Sequence, residues 1–279
     1  MRINLKNKIT FAAFAMALWF TGGVAANSEA ENTPKQTLVF GVVPQQSAAK
    51  LAQQWGPLLK AWSEVTGLDI RFATARDIPT FEQRLAAGEY DIAYMNPYHF
   101  TLVNQSPGYT ALARAKDKRI TGIMVAKKDW QGRVEDFDNA SLAFPAPRAF
   151  AASILTQSEL RQKGLSFSPS YVGSHDSVYM AVAKGLYPAG GGVMRTYNSL
   201  DESIKQQLTV IYRTNSYTPH AIAFANDLDR PTVSALQQSL NVLNQHTDAK
   251  AAFAKLSIKG LEPAKDSDWD DVVALDIQL

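Results

Sequence analysis

The stretch YVGSHDSVYMAVAKG, residues 171–185, reads as the end of a strand, a tight turn and a helix. The turn holds Ser174, His175, Asp176 and Ser177 in a row. Val178, Ala181 and Val182 then recur at helical spacing, so the helix has a face to bury. Two readings of the turn fit these residues. In the first it is a cap: the Ser174 hydroxyl accepts from a free N–H of the first turn, and Asp176 complements the positive end of the helix dipole. In the second it is a ligand site, because a helix start carrying free N–H groups, hydroxyls and an imidazole is a place to hold an anion. The residues alone leave both open.

The same strand–turn–helix unit recurs on either side. TLVFGVV (37–43) is a buried strand, followed by a helix over 49–62 with Leu51, Trp55, Leu58, Leu59 and Trp62 on one broad face and Pro57 as a potential kink. GLDIRFATA is a second strand, IPTFEQRLAAGEY a helix stopped by Gly88, DIAYM a third strand, and PYHFTLVNQ a helix opening on Pro97. NASLAF, the helix 148–162, PSYVGS and the helix 175–185 repeat the alternation; QLTVIYRT and HAIAFA are further strands. The tail, 231–279, reads as mostly helical. Alternation of this kind predicts an α/β fold with mostly parallel sheets. Such sheets bind ligands beyond the carboxyl ends of their strands. Five loops therefore matter: PQQSA (44–48), MNPYH (95–99), FPAPRAF (144–150), GSHDS (173–177) and GGGVMRTYNS (190–199).

In FPAPRAF, Arg148 opens a helix, where a cation is unfavourable unless it shares an anion with the N–H groups. A solvated arginine is the alternative. The three glycines of GGGVMRT allow close backbone approach or simply mark a turn; Arg195 beside them is a plausible polar ligand and an equally plausible surface residue. In YMNPYH, Tyr94, Asn96 and Tyr98 offer hydroxyls and an amide to orient a ligand, or pack as core. Catalysis finds little support. Neighbours in one helical turn do not converge as a triad, no G-x-S-x-G elbow exists, and His99, His175, His220 and His246 lack metal-binding spacing. No metal and no cofactor are expected.

Residues 1–26 carry Arg2, Lys6 and Lys8, then an apolar run and small residues, which is the pattern of a cleaved secretory signal peptide. Residues 27–36 read as a polar, flexible leader. Without the three leading cations, 25 Lys and Arg face 26 Asp and Glu, so no basic field suits nucleic acid. The chain has no cysteine. That excludes disulfides, thiolate chemistry and a lipoprotein anchor, and the expected location is the periplasm.

FGVVP (40–44), AAGEYDIAYMNPYHF (86–100) and GSHDSVYMAVAKG (173–185), with Asp176 in place of a usual Glu, together resemble the phosphate/phosphite/phosphonate substrate-binding proteins of ABC importers. The resemblance covers essentially 37–279. It implies a two-lobed, type II periplasmic binding protein, each lobe a mixed, mostly parallel sheet flanked by helices. Lobe 1 would be 37–119 with 219–279, and lobe 2 would be 120–218. A small phosphorus oxyanion would lie between them, touched by Tyr94, Asn96 and Tyr98 on one side and by Arg148, Ala149, Ser174, His175 and Ser177 on the other, with Arg195 nearby. Partners would be an inner-membrane ABC permease or, alternatively, a membrane sensor kinase; another small anion is a further alternative. A monomer is expected. Two departures stand out. PAPRAF lacks the Ser/Thr hydroxyls the family often uses for phosphonate oxygens, and GGGVMRTYNS carries Arg195 where aminophosphonate binders use carboxylates, which disfavours an amine-bearing ligand.

Overall fold

A computed structural model describes residues 36–275 and 277; the segment read as a signal peptide and most of the polar leader lie outside the described residues. Along the chain, β1 (Thr37–Val42), α1 (Ala48–Thr66), β2 (Asp69–Thr74), α2 (Ile78–Ala86), β3 (Ile92–Met95) and α3 (Pro97–Val103) are followed by β4 (Tyr109–Ala115) and β5 (Ile120–Lys127). Then come β6 (Ala140–Phe144), a π-helical segment Phe150–Leu155 that runs on as α4 (Thr156–Gln162), β7 (Phe167–Tyr171), α5 (His175–Ala183) and β8 (Ala189–Val193). The short α6 (Met194–Asn198) and α7 (Glu202–Lys205) lead to β9 (Leu208–Tyr217) and β10 (Ala221–Ala225). The chain closes with α8 (Arg230–Gln245), α9 (Thr247–Lys255), β11 (Leu261–Pro263) and α10 (Asp270–Val273).

The strands form two sheets, in the orders β11-β4-β10-β3-β1-β2 and β7-β6-β8-β5-β9. The chain passes from the first sheet to the second through residues 116–119 and returns through 218–220. Both sheets are mixed, as expected, but less parallel than the strand–helix alternation suggests. β1–β2, β1–β3, β6–β7 and β6–β8 run parallel; β10 and β5 run antiparallel to both their neighbours, and β11 is antiparallel to β4. The departure comes from β4 and β5, which the sequence reading passed over because no helix separates them. The tail is likewise helical only in part, since β11 adds an edge strand.

The first sheet is covered by α1. Ser47 caps it by accepting from Lys50 N–H, and the helix runs through Pro57 without a break to a left-handed Gly67. Its apolar face buries Leu51, Trp55, Leu58, Leu59 and Trp62. Phe40 of β1 meets Trp55 and Trp62 at ring-centroid distances of 5.6 and 6.0 Å. Side chains of this size contribute about 1.5–3 kcal/mol each on full burial. The buried Trp62 indole satisfies its N–H on Ser239 Oγ of α8 at 2.7 Å.

The second sheet explains the glycine run. Gly190, Gly191 and Gly192 are not in a loop, as the sequence reading had them, but in the middle of β8, fully buried. A β-carbon on Gly191 would stand 1.9 Å from the Ala152 carbonyl oxygen, and one on Gly122 of β5 would stand 2.1 Å from the Ala151 carbonyl oxygen. On the opposite face, β-carbons at Gly190 and Gly192 would meet Val178 at 2.5 Å and the Tyr179 hydroxyl at 2.2 Å. The sheet is thus stripped of side chains so that two helices press against its backbone, Phe150–Leu155 on one face and α5 on the other. Gly191→Ala is expected to lower unfolding stability by about 3 kcal/mol or more, because the clash is with backbone rather than a movable side chain. Gly56→Ala, in α1 with nothing within 4 Å of the added carbon, is expected to raise stability by about 0.5–1 kcal/mol. Urea denaturation of both variants checks the pair.

Candidate functional site

The carboxyl ends of β1, β3, β6 and β7 point their loops into the space between the sheets, and an inner cavity lies there. It takes in about 250 Å³ of non-atom space, part of it open to solvent, between Val43, Gln45 and Asn96 on the first sheet's side and Ala149–Ala152, His175 and Val193 on the second's, with His220 between. The helix start at Phe150 is the polar end of this cavity. Ala149 occupies its cap position and supplies no side-chain bond. The first N–H groups of a helix have no acceptor within it, and here the small side chains of Ala149, Ala151 and Ala152 line the cavity beside them. The π-helical widening is visible at Ala149, whose carbonyl accepts from both Ser153 N (2.7 Å) and Ile154 N (3.3 Å).

Gln45 ties the surroundings together. Its Nε2 donates to His220 Nε2 at 3.0 Å, its Oε1 accepts from the Arg195 guanidinium, and its carbonyl accepts from His175 N at 3.2 Å. Gln46 extends the link by donating to Ser199 Oγ at 2.7 Å. His175 is held from behind by Thr196 Oγ1 at 3.3 Å from Nδ1, and Thr196 rests on the Tyr179 hydroxyl at 2.8 Å. His220 stacks on Tyr94 at 4.8 Å and 13°, and Tyr94 leans on Trp55 at 4.5 Å. Burial, reinforced by the Arg195 charge, pushes His175 down to about 3. The same causes, with the neighbouring histidines added, hold His220 well below the usual histidine range. Both imidazoles are therefore neutral at physiological pH.

A larger outer cavity, about 530 Å³ of non-atom space, adjoins the inner one and shares Ile120, Val193 and His220 with it. Tyr94, Lys118, Arg119, Thr121, Arg195 and His220 give it its polar lining. Among the described residues no group of three potential metal ligands gathers.

Of the residues singled out in the sequence, Asn96, Ala149 and His175 line the inner cavity, and Tyr94 and Arg195 line the outer. The other four line neither. Tyr98 is buried within α3. Arg148 precedes the helix instead of opening it, and its guanidinium stands 3.6 Å from Glu82. Ser174 and Ser177 bond each other at 2.8 Å, with Ser174 Oγ also accepting from Ser177 N, so the capping reading of this turn holds in the structure. Asn96 is also committed: Oδ1 caps α3 through His99 N at 2.8 Å, and Nδ2 donates to the Arg148 carbonyl at 3.0 Å, joining the two sheets. Sequence reasoning missed Gln45 and His220. Gln45 was findable as the polar residue just past β1. His220 precedes an antiparallel strand, where a rule about carboxyl ends does not look.

Two mixed sheets flanked by helices, with a cleft between them, are the fold of two-lobed, type II periplasmic binding proteins. Two solved structures share it. The binding protein component of an ABC phosphonate transporter from Pseudomonas aeruginosa aligns with a TM-score of 0.79 and 16% identity, over 87% of this chain and 86% of that one. PhnD1 from Prochlorococcus marinus, solved in complex with methylphosphonate, aligns with a TM-score of 0.78 and 16% identity, over 86% and 97%. The phosphate-import protein PhnD of Mycolicibacterium smegmatis is 22% identical over 312 residues, spanning 98% of this chain and 96% of that protein. The family model described as ABC transporter, phosphonate, periplasmic substrate-binding protein matches residues 40–269, and the chain belongs to that family. It is a periplasmic substrate-binding component of phosphonate or phosphate import and not an enzyme. Among the described residues no helix is long and apolar enough to cross a membrane.

The neutral histidines set a pH dependence. The unfolded chain protonates histidine near 6.5, whereas His175 in the fold stays neutral to about 3. Between those values the unfolded state binds more protons, so stability falls as pH drops, by up to about 1.4 kcal/mol per pH unit for each such histidine. The thermal midpoint is expected to fall steadily from pH 7 to pH 5, and His175→Asn to flatten that slope. An unchanged midpoint across this range would contradict burial in the neutral form.

Proposed function

We propose that the inner cavity holds the phosphoryl group of a small phosphorus oxyanion – phosphate, phosphite or a phosphonate without an amine – for delivery to an inner-membrane ABC permease. The observation that carries this reading is the uncapped helix start at Ala149–Ala152, which lines a cavity between the sheets. Backbone N–H groups there supply donors aimed at an anion, in place of the Ser/Thr hydroxyls that PAPRAF lacks. Arg148 does not act as the substitute, since Glu82 engages it. Gln45 and the His175 ring add polar contacts from the other walls. The cationic outer cavity opposes an ammonium group, which supports an amine-free solute.

In this reading two lobes, 37–119 with 219–279 and 120–218, close on the solute by hinge motion. Gln45, Gln46 and Asn96 bond across the cleft and hold the closed form. The chain acts as a monomer and reaches the periplasm after cleavage near Ala26.

Titration calorimetry tests the reading, using chain refolded to remove carried solute. The panel is phosphate, phosphite, methylphosphonate, 2-aminoethylphosphonate and sulfate. One of the first three is expected to bind one-to-one and more tightly than the last two. Gln45→Ala is expected to weaken that solute by about tenfold or more, the cost of one lost charge-linked bond at about 1.4 kcal/mol per tenfold. Silence across the panel, or tightest binding of the aminophosphonate, would overturn the assignment.

A further inference from the structure

The outer cavity has a charge pattern that a phosphoryl group in the inner cavity does not use. Three cations line it, Lys118, Arg119 and Arg195, and no carboxylate does. Arg119 is neutralised by Asp271 at 2.8 Å. Arg195 and Lys118 have no acidic partner within 4.0 Å among the described residues; Arg195 bonds Gln45 Oε1, and Lys118 Nζ donates to the Ser257 carbonyl at 3.0 Å. Neutral acceptors therefore hold both cations in place without cancelling their charge. Burial depresses Lys118, His175 and His220, and the Arg195 charge adds to it in each, so its field reaches both cavities. Two like charges lining one cleft repel unless a negative group lies between them.

The link between the cavities is equally specific. Gln45 lines the inner cavity and fixes Arg195 in the outer one, so the two subsites are separated by about one side chain. Their shared wall is Ile120, Val193 and His220, whose ring stacks on Tyr94. A short carbon chain can lie against such an aromatic edge, and an ammonium-bearing chain would meet Arg195.

We propose that the solute carries a second anionic group, a carboxylate on a short chain, seated between Arg195 and Lys118 while its phosphoryl group occupies the inner cavity. The preferred class is then the phosphonocarboxylates. This inference rests on the phosphorus-oxyanion reading above and names its substituent.

The test compares methylphosphonate, phosphonoacetate and 3-phosphonopropionate by calorimetry on the whole chain, freed of carried solute, and on Arg195→Gln and Lys118→Gln. One of the two phosphonocarboxylates is expected to bind at least about tenfold more tightly than methylphosphonate, the scale of one charge-assisted bond pair. Each variant is expected to shrink that ratio several-fold, and raising the salt concentration to shrink it less than a surface attraction would. Thermal unfolding verifies that both variants, altered at partly exposed positions, remain folded. Equal affinity for all three phosphonates, or a ratio unchanged in both variants, would overturn the second-anion proposal and leave the oxyanion site standing. Failure of all phosphorus solutes would remove the oxyanion reading itself.

Discussion

The close contact between β8 and the two helices beside it fixes the rest of this site. A sheet normally holds a helix away by the thickness of its side chains. Here Gly191 and Gly122 remove that layer on one face, and Gly190 and Gly192 remove it on the other. The carbonyl groups of Ala151 and Ala152 then sit directly over the strands. The helix start at Ala149 is consequently fixed in depth, and so is the start of α5 at His175. Tyr179 completes the arrangement: its hydroxyl bonds the Val193 backbone and Thr196, and Thr196 reaches His175. Packing and site chemistry are thus one chain of contacts, from a missing β-carbon to an oriented imidazole.

The opposite wall depends on polar ties rather than close packing. Gln45 bonds His220, Arg195 and the backbone of His175 with one side chain and one carbonyl. Buried polar groups are costly unless each finds a partner, and a single glutamine satisfies several of them at once. The charge within this network belongs to Arg195 alone, since the two histidines are driven neutral. In the proposed reading, recognition of an anion draws on oriented dipoles in the inner cavity and on formal charge outside it.

Much of the fold was legible in the sequence because its strongest signals are periodic. The Leu51–Trp62 face of α1 and the strands TLVFGVV and HAIAFA stand out by pattern alone. β4 and β5 escaped notice because YTALARA and ITGIMVAK are joined by four polar residues, with no helical segment to mark where one strand stops. The glycines of β8 were misplaced for a different reason. A glycine run marks a turn unless something presses on it, and what presses on it is α5 on one face and, on the other, a helix about 40 residues earlier, which no local pattern reveals. Within the site, Asn96 and His175 were visible as polar residues at strand ends. Gln45's role was not, because it depends on partners about 130 to 175 residues away. For Arg148 the sequence left an anion or solvent as the alternatives; Glu82, which stands 3.6 Å from its guanidinium, comes from another helix and was not foreseen.

The two connections between the sheets have a mechanical consequence. Lys118, Arg119, Pro219 and His220 lie on or at the ends of the segments that join one sheet to the other, and all four line the outer cavity. In a rigid rotation a point travels in proportion to its distance from the axis. In the two-lobe reading the axis runs through these connections, so the outer cavity keeps nearly the same shape whether the cleft gapes or shuts. On that reading solutes would be sorted at the pivot while the mouth is still open, and closure would commit the protein to a molecule already chosen.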